Sequence, residues 1–133
     1  MRAQDLDRFC GLPYCARSMD CADLFVLVQR ELFGRAAELA GTRPRPRRQA
    51  DQAAQLVAHT AALGRRVDAP QDGDAVLMLD SGQSTPGHIG TYFFLAYEPW
   101  VLHTSHVIGA SRMHRLHELP AYGLRVEGFY RWN

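Results

Sequence analysis

The sequence predicts an α+β protein in which N-terminal helices pack on an antiparallel β-sheet. Three observations carry that expectation. Apolar residues recur at helical spacing behind Asp20 and again over residues 49–63. From Asp72-Gly73 onward the chain breaks into short apolar, aromatic and β-branched runs separated by turn residues. No helical pattern returns between those runs, and helices followed by strands argue α+β rather than alternating α/β. A chain of 133 residues is the size of one domain, and neither a repeat nor a linker divides 1–133.

The elements follow in order. Residues 5–10 form a short helix that Gly11-Leu12-Pro13 ends. Asp20 is a suitable N-cap for the main helix, with Asp23 three residues on in a box-like arrangement. Leu24, Phe25, Leu27, Val28, Leu32 and Phe33 make a broad apolar stripe, and Gly34 is the stop. Residues 41–48 hold two prolines and cannot be regular structure. A second helix over 49–63 carries Ala53, Leu56, Val57, Thr60 and Leu63 on one face, with His59 at its boundary and Gly64 after it. Ala75 to Leu79 reads as a buried strand, 80–87 as a loop, and strands are predicted over 88–96, 100–104, 110–115 and 124–131 as a meander. Pro99 sets the start of the second of those four, since a central strand would not accept it.

Composition excludes several function classes. A formal net charge of +1 provides no global field for nucleic acid or a membrane surface. All 15 cations are arginine, which reads as coding bias. Arg43, Arg45, Arg47 and Arg48 crowd one loop, but without interleaved aromatics or a basic helix face they read as solvated rather than as a nucleic-acid contact. The first eight residues are too polar for a signal peptide, and no apolar run approaches a membrane span. The expectation is a protein made in the cytoplasm, without membrane insertion. Cys10, Cys15 and Cys21 are an odd set with the wrong spacing for a zinc ribbon. Cys10 and Cys15 read as small apolar fillers, with a Cys15–Cys21 redox pair as the weaker reading.

Cys21 is the residue that suggests chemistry. It stands at the first turn of the main helix, where unpaired N–H groups and the helix dipole favour a thiolate. Far downstream, His88 and His103 lie in strand-like settings of one meander, where their rings could face each other across a strand pair. A thiol needs a nearby imidazole as base or ion-pair partner, and the imidazole needs a polar group on its other nitrogen. His106 rivals His103 for that third position, although an offset of three would turn it to the opposite face of a continuing strand. His103-x₂-His106 and His114-x₂-His117 could also be read as paired metal ligands, but strand geometry opposes that. No metal or other cofactor is expected.

Several segments resemble the NlpC/P60 family of cysteine peptidases, papain-like hydrolases of bacterial cell-wall peptides. Gly11-Leu12-Pro13-Tyr14 resembles the family's entry segment, and Asp20-Cys21-Ala22-Asp23-Leu24 its nucleophile motif. Gly73-Asp74-Ala75-Val76-Leu77-Met78 resembles the strand before the histidine, and His88-Ile89-Gly90-Thr91-Tyr92 the histidine strand itself. Val101-Leu102-His103-Thr104-Ser105 and Val126-Glu127-Gly128-Phe129-Tyr130-Arg131 follow in family order, so the resemblance covers about residues 11–131. It is nearest to short members encoded with phage tail components.

That resemblance implies a papain-like NlpC/P60 fold with Cys21 as nucleophile, His88 as base and His103 as the orienting residue. The Cys21 N–H and Tyr14 would form the oxyanion site. The implied substrate is a peptidoglycan stem peptide, cleaved between D-glutamate and the diamino acid. The implied partners are phage tail or prophage-encoded proteins, with action in the virion tail or the periplasm. Three departures stand out: Asp23 where the family has glycine, a short Tyr14–Cys21 interval, and an apparent insertion over Leu95-Ala96-Tyr97-Glu98-Pro99. Asp23 would serve either the helix N-terminus or a cationic substrate group. Two rival readings remain: a non-catalytic structural tail-assembly protein, or an amidase or acyltransferase using the same residues.

Overall fold

A computed structural model describes residues 1–37 and 45–132, the side chains of 62 and 63 excepted. The chain opens with a 3₁₀ helix, Ala3–Phe9, followed by α1 (Cys21–Phe33) and α2 (Gln49–Leu63). The strands are β1 (Gly64–Val67), β2 (Ala75–Asp80), β3 (His88–Leu95), β4 (Glu98–His103), β5 (Arg112–Arg115) and β6 (Leu124–Trp132). A second 3₁₀ helix, Leu116–Tyr122, precedes β6. All strand pairs are antiparallel, in the order β1-β6-β2-β3-β4-β5. The α+β class with N-terminal helices on an antiparallel sheet therefore holds. The simple meander does not: it covers β2 to β5, and β6 then returns to lie between β1 and β2.

α1 forms as its caps dictate. Asp20 Oδ1 accepts the Asp23 N–H at 3.0 Å, and Asp23 Oδ2 accepts the Asp20 N–H at 2.9 Å. This reciprocal box satisfies two donors at the helix start. Gly34 ends the helix at φ 62°, a left-handed conformation that costs glycine little. Leu24, Phe25 and Val28 are buried against β3 and β4, while Leu27, Leu32 and Phe33 pack at the margin. Gln29 is also fully buried, where its Nε2 donates to the Gly73 carbonyl at 2.9 Å. On α2, Ala53, Leu56 and Thr60 face inward and Val57 is half-buried; the side chain of Leu63 lies outside the described residues.

The alternation of side chains gives the sheet two covered faces. Ala75, Leu77, Ile89, Phe93, Leu95 and Leu102 face the helices. Val76, Met78, Tyr92 and Val101 face the other way and are covered by Leu119 and Leu124. His88 pairs with Met78 and His114 with Val101, so both belong to this second face.

Three local readings change. β1 continues directly from α2 at Gly64, although Gly-Arg-Arg-Val has too little apolar character to announce a strand. Pro99 lies one residue inside β4 rather than at its start, at a point where only β3 pairs with it. The Leu95–Pro99 segment closes a two-residue hairpin, with Ala96 and Tyr97 at φ 51° and 64°. Of the 41–48 loop, residues 41–44 lie outside the described residues. Among the described residues, no helix is long and apolar enough to cross a membrane.

Gly73 shows how tightly the helix layer meets the sheet. Its φ is +92°, and a Cβ there would lie 2.9 Å from the Phe33 ring. Gly73→Ala therefore combines backbone strain with overpacking and should lower stability by about 2 kcal/mol. The midpoint of urea unfolding reads this directly, and an unchanged midpoint would rule out the close approach.

Candidate active site

Cys21 and His88 line one cleft of about 340 Å³, together with Tyr14, Asp20, Arg45, Thr104 and His106. Each is delivered by a separate piece of local structure. Cys21 is the first residue of α1, and His88 is the first residue of β3. Tyr14 comes from the segment after the first 3₁₀ helix, which is fastened to residues 109–111. There the Gly11 N–H donates to Ser111 O at 2.8 Å, the Ser111 N–H to Leu12 O at 2.9 Å, and the Tyr14 N–H to Gly109 O at 2.9 Å. The buried Ser111 hydroxyl accepts the Leu12 N–H and donates to Phe9 O.

His103 is fully buried at the end of β4. Its Nδ1 lies 2.8 Å from His88 Nε2, so the two rings do meet across the β3–β4 pair. Gly90 makes this approach possible. A Cβ at that position would stand 2.5 Å from Val101 Cγ2 and 3.1 Å from His103 Cβ. His106 takes no part in this contact. β4 ends at His103, and His106 stands exposed in the following turn with its ring 6.2 Å from that of Tyr14. The exclusion of His106 thus comes from the end of the strand and not from alternation along it.

A further histidine extends the chain of rings. His114 Nδ1 is 2.8 Å from His103 Nε2, and the His114 ring stacks on Tyr122 at 4.1 Å. Sequence reasoning missed this because the partners sit diagonally on neighbouring strands, and the pairing His103↔Arg112 fixes that relation. The pairs His103/His106 and His114/His117 are split: His106 lies at the cleft rim and His117 is exposed on the second 3₁₀ helix. Among the described residues, no cluster of three or more His, Cys, Asp or Glu could hold a metal ion.

Asp23 is occupied at the helix start. Besides the capping box, its Oδ1 lies 3.5 Å from an Arg45 Nη, while the Arg45 Nε donates to Asp20 Oδ2 at 2.9 Å. Arg45 is therefore not the solvated loop cation expected; it is half-buried against both carboxylates. Cys15 is not an apolar filler either. It is exposed in a tight turn that its backbone closes with Met19, whereas Cys10 does pack at the edge of the core. All three thiols are free.

The electrostatics depart from the expected thiolate. Burial, with the Asp20 carboxylate second, pushes the Cys21 thiol up to about 12, against the backbone N–H groups of Ile89 and Ala22. Burial lowers His88 to about 4 and His103 to about 2, the other two imidazoles adding to the effect on His103. The resting cleft is thus lined by a neutral thiol and a neutral imidazole. Burial and the nearby Asp20 also raise Tyr14, which remains a phenol donor at neutral pH. Cys15 moves the other way, lowered first by a hydrogen bond from Ser18.

Comparison of the chain with protein-family models, with curated proteins and with solved structures finds no match.

Two outcomes follow from these charges. Iodoacetamide at neutral pH should label Cys15 well before Cys21, with Cys21 labelling rising steeply only in strong alkali; equal rates in peptide mapping at pH 7 would overturn the neutral thiol. A histidine held below its unfolded pKa takes up more protons when unfolded, so stability rises with pH through that window. For His88 the window runs from about 4 to 6.5. His88→Leu should flatten the stability profile there by roughly 3 kcal/mol, using 1.36 kcal/mol per unit; denaturant midpoints across pH 4–7 check it.

Proposed function

We propose that this chain is a papain-like cysteine peptidase of the NlpC/P60 type that hydrolyses peptidoglycan stem peptides. The observation that carries the reading is the shared cleft of Cys21, at the N-terminus of α1, and His88, with His103 at 2.8 Å behind it. The order of motifs along the sequence supports it independently. His88 engages His103 through Nε2, which leaves Nδ1 as the nitrogen available to the thiol.

Because both groups are neutral at rest, the first step is general-base attack rather than attack by a preformed thiolate. His88 takes the thiol proton as Cys21 Sγ bonds to the scissile carbonyl carbon. The carbonyl oxygen becomes an oxyanion, stabilised by the Cys21 N–H and the Tyr14 hydroxyl. Collapse breaks the C–N bond, and His88 returns its proton to the leaving amine. Water, deprotonated by His88, then hydrolyses the thioester and restores the thiol. The exposed Arg47 on the cleft wall provides donors for the carboxylates of a stem peptide. The bond proposed is D-glutamyl–diamino acid, and the setting is phage tail assembly or host-wall penetration with tail or prophage-encoded partners.

The high pKa of Cys21 favours a second reading, a tail-assembly protein that keeps this cleft without turnover. An amidase or acyltransferase would use the same residues on another acyl group. Purified muropeptides incubated with the protein, and with a Cys21→Ala control, should yield cysteine-dependent products by mass spectrometry. The absence of products from intact, folded protein would count against the peptidase and favour the structural reading.

A further inference from the structure

The polar chain behind His88 does not end at His103. His114 is only 6% exposed, pairs with Val101 across the β4–β5 ladder and lies on the same face as His88 and His103. The two ring contacts have the same sense: Nε2 of one ring meets Nδ1 of the next, at 2.8 Å in both cases. A neutral imidazole carries one N–H and one lone pair. Both contacts can be hydrogen bonds in only two ways, with every ring protonated on Nε2 or every ring protonated on Nδ1. The first order leaves a lone pair on His88 Nδ1, and the second puts an N–H there.

We propose that His114 is a positioning residue that, acting through His103, fixes the tautomer of His88 and so keeps its Nδ1 free to accept a proton. Cys21 and His88 line the same cleft, and a protonated Cys21 thiol is the donor that the Nε2–H order suits. His114 Nδ1 then accepts from His103, so that no buried donor is stranded. Without that acceptor, the Nε2–H of fully buried His103 would have no partner on that side, and a stranded buried donor is costly. Stacking on Tyr122 holds the His114 ring in place. Geometry limits the chain to two orders, and the protonated Cys21 thiol selects between them; the consequence for turnover rests on the peptidase reading above.

Long-range ¹H–¹⁵N spectra of the histidine rings in the intact protein test the order without any substrate. In the unmodified protein, His88, His103 and His114 should each carry the proton on Nε2. His114→Phe keeps a ring for Tyr122 but offers no acceptor, and should move His88 toward the Nδ1–H form. His114→Asn places an oxygen near the former Nδ1 and should restore the original pattern. In a muropeptide assay, H114F should lower kcat on the order of 100-fold with KM unchanged, and H114N should recover most of it. An Nδ1–H His88 in the unmodified protein, or identical His88 and His103 tautomers in H114F, would overturn the proposal. Should H114F not fold, the spectrum of the unmodified protein still decides the order, and H114N decides whether an acceptor suffices. The expected tautomers without cleavage by any variant would uphold the relay and remove the peptidase reading.

Discussion

Everything at the cleft depends on bringing β3 and β4 together at Gly90. Imidazoles buried side by side are stable only if the nitrogens that leave water find partners. Here the partners are other imidazoles, and they meet because no Cβ at Gly90 holds Val101 and His103 away. The second face of the sheet is built around that contact. Val76, Met78, Tyr92 and Val101 share that face with the rings, and Leu119 from the second 3₁₀ helix packs against them. The same enclosure depresses the pKa of all three histidines, burial being the first cause in each.

The cleft thus sets two influences on Cys21 against each other. Its place at a helix N-terminus favours negative charge, but burial and the Asp20 carboxylate favour the neutral thiol, and they prevail. Asp20 is required where it is, because it caps α1 and receives Arg45. One residue therefore builds the helix that presents Cys21 and also restrains the ionisation of its thiol. The Arg45 guanidinium partly offsets that restraint by favouring the thiolate.

Much of this was legible in the sequence wherever periodicity and capping agreed. The Asp20–Gly34 limits of α1, the buried strand from Ala75 and the strand-borne His88 and His103 all appear as read. The misses have physical causes. β1 is a strand only because β6 pairs with it, and its own four residues include a single apolar side chain. The second 3₁₀ helix contains Pro120 and owes its place to Leu119 in the core. Arg45 looked solvated because its carboxylate partners lie more than 20 residues away in the chain. His114 could be linked to His103 only through strand register, which side-chain alternation alone does not fix.

The raised pKa of Cys21 has a consequence for how the protein endures between encounters. Thiolates, far more than thiols, attack peroxides and disulfide reagents, and the oxidation ladder of a cysteine begins there. Cys21, held as a thiol inside the cleft, is chemically quiet, while Cys15, exposed and with its pKa lowered by Ser18, meets oxidants first. The folded chain thereby carries an outer sulfur that reacts first and an inner one that is preserved. Unfolding would erase the difference, so the integrity of the Cys21 thiol over time is itself a property of the fold.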